Sequence, residues 1–163
     1  MVDVRRNQVG WIFRDFHLID GLSAIDNVAF ALEVAGVSSQ RETEQRAIEA
    51  LERVGLGDRM QFVPEQLSGG QQQRVAIARA IAGERRFLLA DEPTGNLDIA
   101  SAAEVLDLFK SLCGTKRSPC PSSWSRTIDL ASKADRMLLL RDGQTVGPRH
   151  QERRGLDEGG EEE

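Results

Sequence analysis

Two short stretches of this 163-residue chain carry residue types suited to phosphate chemistry. The apolar run Phe87-Leu-Leu-Ala90 ends in Asp91-Glu92-Pro93. A strand of that kind delivers two adjacent carboxylates to the carboxyl edge of a parallel sheet, where α/β folds bind their ligands. Such a pair can support a magnesium ion with one acid and orient or deprotonate an attacking water with the next. The same residues also suit the plain task of ending a strand and capping a turn. Upstream, Ser68-Gly69-Gly70-Gln71 opens a helical pattern. Its backbone N–H groups, positive dipole end, hydroxyl and glycines allow an anion to approach closely. A serine-capped helix entry has the same composition.

The elements that must position these residues follow from periodicity. Gln8 to Phe13 reads as a strand leading into a loop. Val28, Phe30, Leu32 and Val34, with Asp26-Asn27 able to cap, predict a short helix between Leu22 and Ala35 that ends near Gly36. Ser38 or Ser39 can cap a second helix whose apolar side is Ala47, Ile48, Leu51 and Val54 and whose stop is Gly55. Gln72 to Ala82 has helical spacing through Val75, Ile77, Ala78 and Ile81, and Ala100 to Leu112 is amphipathic. The continuous run Phe87 to Ala90 predicts a parallel strand covered on both faces. Arg136 to Val146 reads as two strands around an Asp-Gly turn. Lys116 to Arg126 holds two prolines and four serines without periodicity, so it reads as a loop where the next parallel strand is expected. Helices alternating with buried strands predict an α/β architecture in one domain at most.

Composition narrows the function class. Net charge is −5, but Glu152 to Glu163 carry six acids against Arg153 and Arg154, so the rest of the chain is nearly neutral. With a pI of about 5.2 and dispersed arginines, there is no basic stripe for nucleic acid. Cys113 and Cys120 have neither disulfide-framework nor zinc spacing. No apolar stretch approaches the roughly 18–20 residues of a membrane helix, and no secretory signal opens the chain. The expected compartment is the cytosol.

Leu67-Ser-Gly-Gly-Gln-Gln-Gln-Arg-Val-Ala-Ile-Ala-Arg-Ala80, followed by Leu88-Leu-Ala-Asp-Glu-Pro-Thr-Gly-Asn-Leu-Asp98, closely resembles the signature, Walker B and D-loop block of ATP-binding-cassette (ABC) ATPases. Val9 to Leu18 is similar to their Q-loop region, Ser23 to Val54 to their helical subdomain, and Asp129 to Gly143 resumes the likeness. The residues after Glu92 resemble the subgroup serving lipoprotein release, macrolide export and the FtsE-like cell-division complex. The resemblance implies an incomplete P-loop NTPase fold with an α-helical subdomain. Its expected parts are a partial ATPase domain over 1–146, with the helical subdomain near 18–82, the Walker B and D-loop region at 86–112 and a disturbed segment at 116–128, and a disordered acidic tail over 147–163. It implies ATP and Mg²⁺ as cofactors, and a second cassette and a transmembrane permease as partners, with no nucleic acid. It places the chain in the cytoplasm, against the inner face of the membrane. Ser68, Gly69, Gly70 and Gln71 would act in trans on ATP held by the partner, with Asp98 communicating across the dimer. Asp91 would support magnesium, and Glu92 would be the general base.

Three departures qualify this. No glycine is followed by lysine, so the phosphate loop GxxxxGK[ST] is missing, and the resemblance implies a cassette lacking roughly its first third. Arg14 stands where the family has its Q-loop glutamine, and a cation there repels magnesium. His17 and His150 are the only histidines, and neither is at the switch position. Back-translating Pro119 to Thr127 with permitted codons and dropping two nucleotides restores a hydrophobic strand ending in Thr-His-Asp, which implies a local frame disturbance. The Walker B strand, expected between the phosphate-loop strand and the switch-histidine strand, would then lack partners, leaving autonomous folding in doubt. The chain is expected to be catalytically inactive alone, either as a partner lending its signature loop or as a gene fragment. A DNA-maintenance ATPase fragment fits the charge less well.

Overall fold

The computed structural model describes residues 9–83, 85 and 87–113, with the backbone of strands at 120–124, 136–141 and 144–150. The chain divides into two compact units, 1–126 and 127–163.

In the first unit, β1 (Val9–Ile12) pairs in parallel with β2 (Phe87–Asp91), with Gly10 opposite Leu88 and Ile12 opposite Ala90. On its other side β2 pairs in parallel with β3 (Cys120–Trp124), Asp91 facing Trp124. The sheet order is β1-β2-β3. Two expectations are thereby corrected. The segment read as a loop contributes a strand, and β2 has the strand of the Q-loop region as one neighbour and β3 as the other. An unpaired β2 edge would leave a row of N–H and C=O groups unsatisfied. That constraint outweighs the weak strand propensity of a Pro-Ser-Ser sequence, and an outer strand tolerates Pro121. The expectation that β2 is covered on both faces also fails: Leu88 and Ala90 are buried, while Phe87 is 53% exposed.

Three helices fill the chain between β1 and β2. Helix α1 (Ala24–Val34) starts at Ser23, whose hydroxyl accepts from the Asp26 N–H, one turn before the predicted cap at Asp26-Asn27. Asn27 is buried instead. Its amide donates to the carbonyls of Ile19, Leu22 and Ser23 and accepts from the Ile19 N–H at 2.7 Å, fastening the incoming loop to the helix. Helix α2 (Gln40–Arg53) is capped by Ser39; of the predicted apolar side Ala47, Leu51 and Val54 are buried and Ile48 is half-buried, and Ala50 is buried as well. Gly55, at φ +74°, follows it in a left-handed conformation that only glycine adopts cheaply.

Helix α3 (Gly69–Ile81) is the centre of the unit. Gln73, Val75, Ala76, Ile77, Ala78, Ala80 and Ile81 are all buried, so the helix is covered over most of its circumference. Helices α1 and α2, strand β1 and helix α4 (Ile99–Cys113) surround it. From α4, Ala102, Val105, Phe109 and Leu112 complete the core with Ile12, Val28, Leu32, Leu51 and Leu88. The approach of β1 depends on Gly10: a Cβ there would lie 2.6 Å from the Ala80 carbonyl oxygen and 2.6 Å from Leu88 Cδ2. Gln73 is fully buried, and among the described residues neither of its amide atoms has a hydrogen-bond partner.

The second unit is an antiparallel hairpin of β4 (Arg136–Arg141) and β5 (Gln144–His150), with a register shift between Leu138 and Leu140. The two strands match the prediction, but β5 runs past Val146. Pairing of Leu138 with Pro148 and of Arg136 with His150 draws into the ladder residues expected to begin the disordered tail. The part of that tail at 151–163 lies outside the described residues.

Gly10→Ala should destabilise the first unit by about 1–3 kcal/mol, because neither a carbonyl in a helix nor a packed leucine can retreat. Gln73→Met, which keeps the side-chain length and removes an unpaired amide, should stabilise it by about 1 kcal/mol. Urea unfolding of the full chain followed by circular dichroism checks both.

Candidate functional site

Because β1 and β2 are parallel and in register, the loops that leave them emerge side by side. The first carries Arg14, Asp15, Phe16 and His17, and the second runs from Asp91 through Asn96. They interlock. Arg14 Nε donates to Asn96 Oδ1 at 2.8 Å, and Arg14 Nη1 lies 3.2 Å from Glu92 Oε2. In return, Asn96 Nδ2 donates to Asp15 Oδ1 at 2.8 Å and to the Arg14 carbonyl at 3.4 Å. Gly95 makes room for this: a Cβ at that position would lie 2.9 Å from Arg14 Nε. The Gly95 N–H donates to the Glu92 carbonyl and closes the turn.

Phe16 (φ 59°), His17 (φ 47°) and Glu92 (φ 43°) are the only non-glycine residues in the left-handed region among those described, and all lie in these two loops. Conformations of this kind persist where surroundings enforce them. Here Arg79 from α3 supplies the restraint, donating to the Phe16 carbonyl at 2.8 Å and to the His17 carbonyl. Burial, and then the nearby Arg85, lower the Arg79 pKa, and two carbonyl oxygens accept from its guanidinium.

The signature residues stand at the N-terminus of α3. Ser68 Oγ accepts from the Gln71 N–H, and the Gln71 side-chain oxygen accepts from the Ser68 N–H at 2.9 Å, a reciprocal capping box. A cleft of about 310 Å³ opens beside them, lined by Arg59, Ser68, Gly70, Gln71, Arg74 and Ser101. Arg74 joins three elements, donating to the Val54 carbonyl at the end of α2 and to Glu104 of α4 at 2.7 Å. Glu104 also lines this cleft and offsets the charge of Arg74, so the helix end and Arg59 are what favour an anion there.

Asp98 caps α4, accepting from the Ser101 N–H at 3.0 Å and the Ser101 hydroxyl at 2.7 Å. Those bonds, the backbone one first, hold its carboxyl below the usual carboxylate pKa. Ser101 in turn packs on Gly70, where a Cβ would lie 3.1 Å from its side chain. The sequence suggests Gly70 as room for an anion; the structure adds room for α4. A Cβ at Gly69 would lie 3.5 Å from Leu97 and 3.9 Å from Phe16, so the signature residues and both strand-end loops form one contiguous surface. Arg74, Arg79 and Asn96 stand inside the quoted motifs without an assigned role, and Ser101 lies just beyond them. An Asp-x-x-Ser spacing at a helix start and an arginine on an otherwise alanine-rich buried helix face are the signals that reveal two of them.

The resemblance implies magnesium at Asp91 beside Glu92. Asp91 lies exposed at the end of β2, and the Glu92 carboxylate is within reach of a guanidinium. Among the described residues no group of three acidic, histidine or cysteine side chains converges as a metal site. In this arrangement the donor set does not fit a divalent ion.

A profile of the ABC transporter family matches residues 2–95. The chain is 43% identical over 146 residues to the uncharacterized ABC transporter ATP-binding protein YvrO of Bacillus subtilis, covering 90% of this chain and 62% of that protein. It is 44% identical over 140 residues to the lipoprotein-releasing system ATP-binding protein LolD 2 of Caulobacter vibrioides, covering 86% and 60%. It thus spans about three fifths of the length of these curated relatives. The dimeric post-hydrolysis structure of the ATP-binding cassette MJ0796 bound to ADP and Pi superposes with a TM-score of 0.76 at 35% identity, covering 91% of this chain and 65% of that one. Among the described residues no helix is long and apolar enough to cross a membrane.

Since the folded pKa of Asp98 is depressed, its cap stabilises the protein above the unfolded value of about 3.9 and is lost as pH falls through the folded value. Asp98→Asn, which caps without ionising, should flatten the acid limb of Tm against pH, whereas Asp98→Ala should lower Tm at neutral pH. Thermal melts between pH 2.5 and 7 distinguish the two.

Proposed function

Because the chain belongs to the ABC transporter family, we propose that it acts within the ATP-binding subunit of a transporter, pairing with a second cassette and presenting Ser68, Gly69, Gly70 and Gln71 to ATP seated on that partner. The observation that carries this reading is the α3 N-terminus. It is capped, exposed, flanked by Arg59 and Arg74, and opens on a cleft. An anionic γ-phosphate brought to that face meets backbone N–H groups, the Ser68 hydroxyl and the Arg59 guanidinium, with Arg74 already paired to Glu104.

Asp98 belongs to the same face and fixes the α4 start against Gly70, which supports a part for it across the dimer. Glu92, next to the strand end, is the proposed general base. Asp91 is the proposed metal-supporting acid once the neighbouring guanidinium has moved. The 163 residues contain no GxxxxGK[ST] segment, so ground-state positioning of a nucleotide in cis would lack its usual lysine and loop. The chain on its own is therefore proposed not to turn over ATP. With the partner and a membrane-spanning permease, it would sit at the cytoplasmic face of the membrane. The nature of its relatives makes export or lipoprotein release the proposed transport class.

The full chain, mixed with a hydrolysis-impaired family cassette that carries its own phosphate loop, should form a complex in analytical ultracentrifugation only when ATP is present. Ser68→Ala should weaken that association. Ser39→Ala, which removes a helix cap of the same kind and about 1 kcal/mol of stability elsewhere, should not. Association indifferent to ATP or to Ser68 would overturn the reading, as would a stoichiometric ATP complex of the chain alone.

A further inference from the structure

We infer that Arg14 is a built-in counter-ion that latches the loop after β1 onto the Glu92–Asn96 turn and closes the Asp91-Glu92 carboxylate pair to divalent cations. The inference rests on the proposed role of that pair as the cation-supporting end of β2.

An arginine lying over an acid at a protein surface is ordinarily a weak and mobile contact. Four features set this one apart. The guanidinium is held at two points, Glu92 Oε2 at 3.2 Å and Asn96 Oδ1 at 2.8 Å, so its plane is fixed. The residue that fixes it is itself fixed, because Asn96 Nδ2 returns bonds to the Arg14 carbonyl and to Asp15. The turn has a glycine where the arginine side chain passes, and a Cβ at Gly95 would lie 2.9 Å from Nε and 3.2 Å from Cδ. Finally, the backbone is turned into the left-handed region at Glu92 on one side and at Phe16 and His17 on the other. The Glu92 side chain is 15% exposed while that of Arg14 is 49% exposed, so the cation lies on the solvent side of the acid.

The electrostatic consequence is direct. A hard divalent cation needs anionic oxygens free to coordinate it and pays steeply for a fixed positive charge a few ångströms away. Arg14 places a positive charge 3.2 Å from one of the two candidate carboxylates. The latch is thus self-contained: its cation is covalently part of the chain, and it requires no metal. Displacing Arg14 would remove the positive charge that lies on the solvent side of Glu92.

Manganese binding to the full chain, followed by the loss of free-ion signal in electron paramagnetic resonance, tests this without relying on turnover. Arg14→Gln should raise Mn²⁺ affinity at least about tenfold, since it removes the charge and keeps a polar side chain. Arg14→Lys should leave affinity low, because the positive charge remains. The double variant Arg14→Gln with Glu92→Gln should lose the gain. Asn96→Ala, which frees the guanidinium without removing its charge, should give a smaller increase and guards against a folding defect in the first variant. Unchanged Mn²⁺ affinity in a folded Arg14→Gln chain would overturn the inference, as would a gain that survives the Glu92→Gln change. Failure here is separable from failure of the partner-association reading, which depends on Ser68 and not on Arg14.

Discussion

The burial of α3 constrains almost everything else. A helix covered on most of its circumference needs neighbours on several sides, and α1, α2, α4 and β1 supply them. Each neighbour then approaches as closely as α3 allows, which explains an alanine-rich helix, the absence of a Cβ at Gly10 and the small residues Gly70 and Ser101 where α4 begins. Packing of this density does not tolerate displacement of one layer. The exposed N-terminus of α3 is therefore held in place by its buried remainder. Arg74 adds a polar tie from the same helix to the ends of α2 and α4.

Much of this was legible in the sequence. The periods at Ala47, Leu51 and Val54 and at Val75, Ile77 and Ala78 gave helices whose buried sides match, because local spacing alone decides which face is apolar. What escaped was decided by partners distant in sequence. The strand at Cys120–Trp124 has little intrinsic preference for that state and exists because an open edge of β2 demands pairing. The start of α1 moved to Ser23 because Asn27, a good cap by type, satisfies three carbonyls as a buried anchor.

The site shows the same division. Ser68, Gly69, Gly70, Gln71, Asp91 and Glu92 stand out as motifs, and the structure brings them onto a shared surface with Asp98. Motif reading gives residue types at fixed spacing. It does not give the partner that a side chain finds 82 positions away, as Arg14 finds Asn96. Arg14 was visible only as a departure from a pattern, a positive charge where a neutral amide was expected. Its contact with Glu92 turns that departure into a defined arrangement of charge.

From α3 to the carboxylates there is an unbroken series of contacts. Arg79 holds the carbonyls of Phe16 and His17, the loop they belong to carries Arg14, and Arg14 holds Glu92 and Asn96. The links are unequal. Arg79 is half-buried and bonded to two carbonyls, and releasing it would strand a cation and two left-handed residues away from their partners. The Arg14 side chain is half exposed and is held only by side chains of the facing turn, so it is the link closest to solvent. If the series parts, it parts at Arg14 and Glu92. The loop then remains attached to α3 through Arg79, so moving the Arg14 guanidinium needs no disruption of the core.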